Sequence, residues 1–350
     1  MTDYIRIARD APLQSRNTFG VAATAPVLVE VADSAALPAL LADREFGERL
    51  SLVLGGGSNL LFAGNPEGVV LALTGKRVTH VDDVPTEAGV RTIVRADAGV
   101  EWHDFVMRTL RHGFAGLENL ALIPGTVGAA PIQNIGAYGA EVREFIHAVE
   151  AFEPATGLVQ RFDAPGCRFS YRDSLFKQQP DRYIVTAVEF ALSRVPALKL
   201  DYAGIREELD SMGVASPLPR HVADAVIAIR RRKLPDPAVI GNAGSFFKNP
   251  IVAVAQADVL KSEHDTLPVF RGNDDSTRKL SAAWLIDQCG WKGHRDGDAG
   301  VAATHALVLV NHGQATGAQL LTLARRIADS VRRRFGVVLE PEPRVIGAAW

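Results

Sequence analysis

The feature that most constrains this chain is a run of small and apolar residues at positions 123–139. It reads Ile123-Pro124-Gly125-Thr126-Val127-Gly128-Ala129-Ala130-Pro131-Ile132-Gln133-Asn134-Ile135-Gly136-Ala137-Tyr138-Gly139. A solvent-exposed loop would be more polar, whereas glycines let a backbone approach a flat, largely apolar ligand. The run therefore predicts an internal loop pressed against such a ligand. The alternative is an internal crossover loop that binds nothing.

A second glycine-rich loop, Gly55-Gly56-Gly57-Ser58-Asn59, follows the apolar stretch at residues 51–54. Successive glycines let backbone N–H groups converge on an anion, so the loop predicts phosphate binding. A tight turn is the alternative. No Gly-Lys-Ser/Thr follows, which excludes a Walker A loop, and Leu60 stands where a dinucleotide-binding fingerprint has its last glycine.

Hydrophobic periodicity elsewhere predicts an α+β chain rather than a regular alternation of strands and helices. Strands are predicted at residues 27–31, 51–54, 69–73, 91–96, 146–153, 158–162, 183–192 and 305–310. Helices are predicted at residues 34–46, 102–110, 222–229, 280–289 and from Thr316 to near Gly336, where Thr316 and Gln319 resemble a capping box. The proline-containing stretch at residues 195–220 is the candidate domain boundary.

Composition limits the class of protein. The 350 residues are 47% hydrophobic, enough for a packed core and too many for one ordinary domain. With 38 basic and 40 acidic residues, the net charge of −2 indicates neither nucleic acid nor a membrane surface as a partner. The two cysteines lie far apart, which favours a reducing compartment. We expect a cytoplasmic monomer that binds no metal.

Three short motifs contain candidate catalytic residues. Arg172, in Ser170-Tyr171-Arg172-Asp173-Ser174, is a candidate carboxylate clamp, with an ion pair to Asp173 as the alternative. Ser245 lies in a glycine-flanked turn, but Phe247 replaces the last glycine of a nucleophile elbow, so proton donation fits better than hydrolysis. Glu342 lies in the proline-fixed segment Glu340-Pro341-Glu342-Pro343, which is either solvated or directed at a site.

At these residues the chain resembles the UDP-N-acetylenolpyruvoylglucosamine reductase family, the flavoenzymes of early peptidoglycan precursor synthesis. The resemblance covers nearly the whole chain, and eight motifs occur in the family's order. They are Asn17-Thr18-Phe19-Gly20, residues 55–59, 123–139 and 170–174, Arg230-x-x-Lys233-Leu234-Pro235, residues 241–250, Trp284-Leu285-Ile286-Asp287-Gln288 and residues 339–342.

The resemblance implies an α+β architecture with a two-lobed FAD-binding fold of the vanillyl-alcohol-oxidase type and a C-terminal α+β substrate-binding domain. It places lobe 1 at residues 1–80, lobe 2 at 81–217, the C-terminal domain at 218–337 and a returning segment at 338–350. FAD would be bound without a covalent link, with NADPH as co-substrate. The implied FAD-binding residues are Gly55, Gly56, Gly57, Ser58, Asn59, Ile123, Pro124, Gly125, Gly128, Ala129, Gln133, Asn134 and Gly136.

The resemblance also implies residue roles in reducing the enolpyruvyl double bond. Ser245 would protonate the second carbon, Arg172 would offset charge that develops on the carboxylate side, and Glu342 would help polarise or protonate the enolate-like species. The implied substrate-binding residues are Tyr202, Arg230, Lys233, Asn249, Lys279 and Gln288, and Tyr202 identifies the tyrosine-bearing type of the family.

Two other classes compete with this interpretation. One is an alcohol or sugar oxidase of the same fold, which often links FAD covalently through His or Cys. Neither glycine-rich loop contains such a residue, but His103 keeps the idea open. The other is a non-catalytic nucleotide-binding module, against which the joint presence of Arg172, Ser245 and Glu342 argues.

Overall fold

The computed structural model describes residues 4–86 and 89–350. These residues form two compact units: the first contains residues up to 11, 25–56 and 67–232, and the second contains 12–24, 57–66 and 233–350. Residues 219–232 therefore belong to the first unit, whereas the C-terminal domain is predicted from the sequence to begin at residue 218. The predicted lobe and domain boundaries stay predictions.

The strands of the described residues are numbered in chain order. They are β1 (Ile5–Pro12), β2 (Thr24–Val31), β3 (Leu50–Leu54), β4 (Leu60–Phe62), β5 (Val69–Leu73), β6 (Val78–Thr86), β7 (Gly89–Asp97), β8 (Gly136–Ala137), β9 (Ala140–Glu141), β10 (Ile146–Glu153), β11 (Leu158–Asp163), β12 (Ile184–Ser193), β13 (Gly241–Ser245), β14 (Ile251–Ala253), β15 (Val269–Arg271), β16 (Thr277–Leu280), β17 (Arg295–Asp296), β18 (Ala299–Val301), β19 (Val308–Asn311) and β20 (Arg344–Ile346).

The α-helices are α1 (Leu37–Ala42), α2 (Arg44–Gly47), α3 (Trp102–Arg111), α4 (Leu175–Gln178), α5 (Ile205–Ser211), α6 (Pro219–Lys233), α7 (Val254–Glu263), α8 (Ala282–Gln288) and α9 (Gly317–Phe335). Short 3-10 turns occupy Gln14–Arg16, Ser34–Ala36, Glu118–Leu120, Val127–Ala129 and Val142–Glu144.

Two larger sheets organise the first unit. One has the strand order β1-β2-β5-β3, in which β2 and β3 both run parallel to β5. The other has the order β11-β10-β12-β7-β6 and is antiparallel throughout. β5 and β12 are buried along nearly their whole length, as expected for central strands rich in β-branched residues. The predicted α+β class is confirmed by this mixture.

The helix predicted at residues 34–46 is interrupted in the structure. Asp43 adopts an extended backbone (φ −73°, ψ 125°), and its carboxylate accepts a hydrogen bond from Glu45 N at 2.9 Å. Asp43 thus ends α1 and caps α2, because an aspartate side chain offers the backbone an alternative partner to the helical carbonyl.

The second unit contains smaller sheets, of which the largest has the order β13-β19-β18-β17. Its long helix α9 begins with the predicted capping box of Thr316 and Gln319 and ends at Gly336 in the left-handed conformation (φ 64°). β4 pairs in parallel with β20, so residues 60–62 lie beside the C-terminal segment. No helix among the described residues combines the length and apolar character needed to cross a bilayer.

Candidate functional site

Within the first unit, Gly55 and Gly56 of one predicted cofactor loop lie against the other predicted cofactor loop, residues 123–139. A Cβ atom built on Gly56 would be 2.8 Å from the Cα of Gly125, and one built on Gly55 would be 3.0 Å from Thr126 Oγ1. The loops thus pack backbone to backbone through their glycines, and Gly55 remains exposed. This exposed peptide surface fits a ligand phosphate, whereas added side chains would fill the space.

Gly56 therefore has a packing role of its own. We expect Gly56→Ala to lower the stability of the FAD-free protein by about 1–3 kcal/mol, because its methyl group would overlap the Gly125 backbone. Gly55→Ala is the matched control, since its methyl group meets a rotatable threonine side chain at 3.0 Å. Thermal unfolding without FAD measures both variants. Equal melting temperatures would contradict this account of Gly56.

Asn134 anchors the loop at residues 123–139 from within. It is fully buried in the left-handed conformation (φ 47°). Its Nδ2 donates to Glu141 Oε2 at 3.1 Å and to the Ser170 carbonyl at 2.9 Å, and its Oδ1 accepts from Arg143 N at 3.1 Å. Protein partners therefore occupy both ends of the amide. Asn134 shapes the predicted cofactor loop and joins it to the turn that contains Arg172.

Arg172 occupies a strained turn beside that loop. Its φ of 54° is uncommon for a residue other than glycine, and Ser170 pairs with Asp173 across the turn. Lys177 Nζ donates to the Arg172 carbonyl at 3.0 Å, and Arg172 Nη2 donates to the Gly136 carbonyl at 2.9 Å. A Cβ on Gly136 would lie 3.2 Å from Arg172 Nη1, so glycine there makes room for the guanidinium.

Tyr138, Tyr202 and Arg230 form a polar aromatic cluster in the first unit. The Tyr138 and Tyr202 rings are 5.2 Å apart in a T-shaped arrangement, and Tyr202 is exposed. Burial lowers the pKa of Arg230, while nearby Tyr138 favours its charged form. Within the part of the chain that the structure describes, Arg230 Nε is buried without a hydrogen-bond partner. Such a donor fits an anionic ligand.

Tyr138 was not assigned a role from the sequence, although the structure pairs it with the candidate Tyr202. The available signal was an aromatic residue between Gly136 and Gly139 in a segment otherwise made of small residues. Burial raises the pKa of Tyr138, so the ring stays neutral.

In the second unit, Gly57, Ser58 and Asn59 lie beside the Asn17-Thr18-Phe19-Gly20 motif. Thr18 N donates to the Gly57 carbonyl at 3.2 Å, and a Cβ on Gly57 (φ 62°) would lie only 1.9 Å from the Arg16 carbonyl oxygen. Among the described residues, Thr18 Oγ1 is one of the few buried side-chain polar atoms without a partner. An orphaned hydroxyl next to a glycine turn fits a bound phosphate or sugar group.

An irregularity in β13 immediately precedes Ser245 and sets its position. The pairing of β13 with β19 shifts between Asn242 and Ser245, and Gly244 adopts a left-handed conformation (φ 68°). Asn242 Oδ1 accepts from Gly244 N at 3.0 Å and so supports the shift. Bulges of this kind redirect the side chain that follows. Ser245 is consequently a half-buried hydroxyl next to the fully buried Phe246 and Phe247.

The C-terminal segment runs antiparallel to the residues that follow Ser245. Glu342 N donates to the Phe246 carbonyl at 2.7 Å, Phe247 pairs with Pro341, and Lys248 N donates to the Glu340 carbonyl at 3.0 Å. This register brings Ser245 and Glu342 to the same end of the pairing. Asn59 Nδ2 adds a hydrogen bond to the Glu342 carbonyl at 3.2 Å.

The remaining predicted substrate residues of the second unit are spread over several elements. Asn249 Oδ1 accepts from Ala282 N at 3.0 Å and thereby supports the start of α8. Lys279 lies in β16 opposite Ile251, and Gln288 ends α8 as an exposed residue. Lys233 is exposed at the end of α6. The described residues contain no cluster of three His, Cys, Asp or Glu side chains suited to a metal ion.

Comparison with known proteins agrees with this arrangement. Residues 25–163 match the family described as "FAD binding domain", and residues 236–346 match "UDP-N-acetylenolpyruvoylglucosamine reductase, C-terminal domain". The predicted fold, an FAD-binding fold followed by a C-terminal α+β domain, is thereby confirmed.

Similar proteins extend over nearly the full length. A UDP-N-acetylenolpyruvoylglucosamine reductase from Xanthomonas axonopodis is 57% identical over 99% of this chain and 97% of that protein. One from Xylella fastidiosa is 55% identical over 97% of this chain and 96% of that protein. The crystal structure of the Thermus caldophilus reductase has a TM-score of 0.67 at 27% identity, covering 98% of this chain and 99% of that chain. The chain therefore belongs to the UDP-N-acetylenolpyruvoylglucosamine reductase family.

Proposed function

We propose that this protein reduces UDP-N-acetylglucosamine enolpyruvate to UDP-N-acetylmuramate with NADPH, through non-covalently bound FAD. The reaction serves peptidoglycan precursor synthesis and hence cell wall biogenesis, cell shape and cell division. The observation that carries the proposal is the pairing of residues 246–248 with residues 340–342, in which Glu342 lies opposite Phe246, the residue that follows Ser245. Family membership and the match of residues 25–163 to an FAD binding domain support it.

Bound FAD supplies the hydride chemistry that links NADPH oxidation to reduction of the enolpyruvyl double bond. In the balanced reaction the methylene carbon gains hydride, the adjacent carbon gains a proton, and NADPH becomes NADP⁺. The protein must therefore deliver one proton to carbon. Ser245 is our candidate proton donor, since it is half-buried at the end of the β13 irregularity and immediately precedes the buried Phe246 and Phe247.

Charge that develops beside the substrate carboxylate needs electrostatic support. A guanidinium can bind a carboxylate through two parallel hydrogen bonds, and Arg172 is held in a strained, preorganised turn. Glu342 would act on the enolate side, where it assists protonation. The Arg172 guanidinium donates to the Gly136 carbonyl, and the backbone of Glu342 is held by Phe246 and Asn59; preorganisation of this kind lowers the reorganisation needed during the reaction.

Binding of the UDP-sugar and NADPH is assigned to cationic and aromatic side chains. Arg230, Lys233 and Lys279 would bind phosphates, and the exposed ring of Tyr202 would cover the uridine. Asn249 and Gln288 would add polar contacts. The buried, unpartnered Nε of Arg230 supports its assignment.

The FAD assignment divides between backbone and side-chain contacts. The residues that would contact the cofactor are Gly55, Gly56, Gly57, Ser58, Asn59, Ile123, Pro124, Gly125, Gly128, Ala129, Gln133 and Gly136. Because its amide is engaged by protein partners, Asn134 would contribute through its backbone or by shaping the loop. Because His103 Nδ1 accepts a hydrogen bond from Leu122 N at 3.0 Å, the competing covalent link through His103 would have to use Nε2.

We also infer a cytoplasmic monomer. Both cysteines are free thiols, and burial raises the pKa of Cys167 to about 12, so this thiol is unreactive. Unlinked cysteines fit a reducing compartment. Light scattering should give a mass near 37.6 kDa.

The proposed reaction has a direct test. We expect purified protein to be yellow, to release intact FAD into the supernatant after acid precipitation, and to oxidise NADPH only when the enolpyruvyl UDP-sugar is present. The match to an FAD binding domain and the phosphate-compatible glycine loops motivate this result. Flavin that stayed in the precipitate would point to a covalent oxidase. Colourless protein that could not be reconstituted would overturn the proposal.

A further inference from the structure

The residues at the start of α3 make four contacts with residues 120–126, which lead into and begin the predicted cofactor loop. Glu101 pairs with Thr126, Trp102 N donates to the Gly125 carbonyl at 2.9 Å, and Trp102 Nε1 donates to the Leu120 carbonyl at 2.9 Å. In the fourth contact, Leu122 N donates to His103 Nδ1 at 3.0 Å. Together these contacts hold the backbone from residue 120 to residue 126 against the helix.

The contact at His103 differs from the others because a side chain accepts from a strained peptide. Leu122 has a φ of 58°, a left-handed conformation that non-glycine residues adopt only when their surroundings enforce it. Leu122 immediately precedes Ile123-Pro124-Gly125, which begins the predicted flavin loop. Losing the acceptor would leave a partly buried N–H without a partner at this strained position.

We propose that His103 is a positioning residue for FAD: its Nδ1 accepts from Leu122 N–H and thereby holds residues 122–125 in the conformation that binds the flavin. This inference rests on the proposed function, because it assumes that the loop contacts FAD. His103 acts through Leu122 and has no assigned contact with the reacting atoms.

The contact requires a specific protonation state. An imidazole nitrogen that accepts a hydrogen bond has no proton, so neutral His103 must hold its proton on Nε2. Burial lowers the pKa of His103 first of all, Arg220, Arg230 and Arg231 from α6 lower it further, and neighbouring Asp104 opposes them. These groups keep the imidazole neutral and able to accept at neutral pH.

The sign of the pH dependence follows from the lowered pKa. Well above the ordinary histidine pKa of 6.5, the imidazole is neutral whether or not the loop is ordered. As the pH falls below 6.5, the disordered state gains a proton before the ordered state does, which weakens the ordered loop. FAD affinity should therefore decline as the pH falls from 6.5 towards the lowered pKa of His103.

The test compares two variants of His103 with a matched control. His103→Leu removes the acceptor, whereas His103→Asn places an amide oxygen near the position of Nδ1. His112→Leu makes the same change at the other end of α3, where the histidine Nδ1 contacts the Arg108 carbonyl of its own helix. FAD dissociation constants come from flavin fluorescence titration between pH 5 and 8, a range set about the ordinary histidine pKa of ~6.5. Melting temperatures of the FAD-free proteins are measured in parallel.

We expect His103→Leu to weaken FAD binding about tenfold or more, as for a buried N–H that loses its partner. His103→Asn should bind FAD nearly as wild type does but without the decline at acidic pH, and His112→Leu should behave as wild type. Normal FAD affinity in His103→Leu, or a decline at acidic pH that persists in His103→Asn, would overturn the inference. Wild-type protein that bound no FAD would instead contradict the proposed function. If His103→Leu did not fold, the pH profiles of wild type and His103→Asn would still decide the question.

Discussion

Ser245→Ala is expected to leave the reduction of bound FAD by NADPH close to normal and to slow reoxidation by the enolpyruvyl substrate by at least ~10²–10⁴-fold, the range for lost general acid catalysis. The first half-reaction needs no proton from this residue, whereas the second must place a proton on carbon. The loss could be larger, because an unprotonated carbanion would return its hydride. Stopped-flow flavin absorbance separates the two half-reactions.

A second substitution at position 245 provides the control for Ser245→Ala. Ser245→Cys retains a group that can donate a proton, so it should keep part of the second half-reaction. Its similar size should also leave the positions of Phe246 and Phe247, the almost completely buried residues that follow it, unchanged. Equal impairment of both half-reactions in Ser245→Ala, or impairment of neither, would make Ser245 a packing or binding residue and the mechanism wrong at its central step.

Glu342→Gln should slow the same half-reaction by about 10²–10³-fold, the effect expected when one preorganised electrostatic group is removed. The amide keeps the shape of the side chain and leaves the backbone hydrogen bond from Glu342 N to the Phe246 carbonyl unchanged. NADPH-dependent bleaching of the flavin should remain normal. The measurement is again the rate of flavin reoxidation under single-turnover conditions.

Glu340→Gln is the matched control for Glu342. Glu340 lies two residues away on the same segment, is largely exposed and contacts Lys248 Nζ at 3.0 Å. An exposed ion pair contributes little, so this variant should retain the wild-type rate. Ser245 and Glu342 are proposed to assist one proton transfer, so their effects should not be independent. The double variant should be slower than either single variant, but its total slowing should be less than the product of the two single slowings. Equal slowing by Glu340→Gln would indicate a general effect of charge.

Local features of the fold were predictable from the sequence. The Thr316 and Gln319 capping box and the glycine stop at Gly336 depend on residues within one or two helical turns, and both occur as predicted. The helix predicted at residues 34–46 is wrong at Asp43, where a side-chain hydrogen bond to Glu45 N competes with helical pairing. The spacing of apolar residues, on which the helix prediction is based, cannot reveal that competition.

The candidate site was predictable only in part. Its glycine-rich loops and the residues Arg172, Ser245 and Glu342 were recognisable from residue types and their order along the chain. Their partners were not, because those contacts join residues that are distant in sequence. For example, the hydrogen bond from Glu342 N to the Phe246 carbonyl places the segment of Glu342 beside the residue that follows Ser245.

The sequence by itself determined the family, the fold class and the chemical identity of the candidate side chains, because these depend on the types, spacing and order of residues. Only the tertiary structure decided what each residue is free to do. It engages the Asn134 amide with Glu141, Ser170 and Arg143, and it leaves Arg230 Nε buried without a partner among the described residues. The physical reason is that a polar group's availability depends on which donors and acceptors the folded chain places around it.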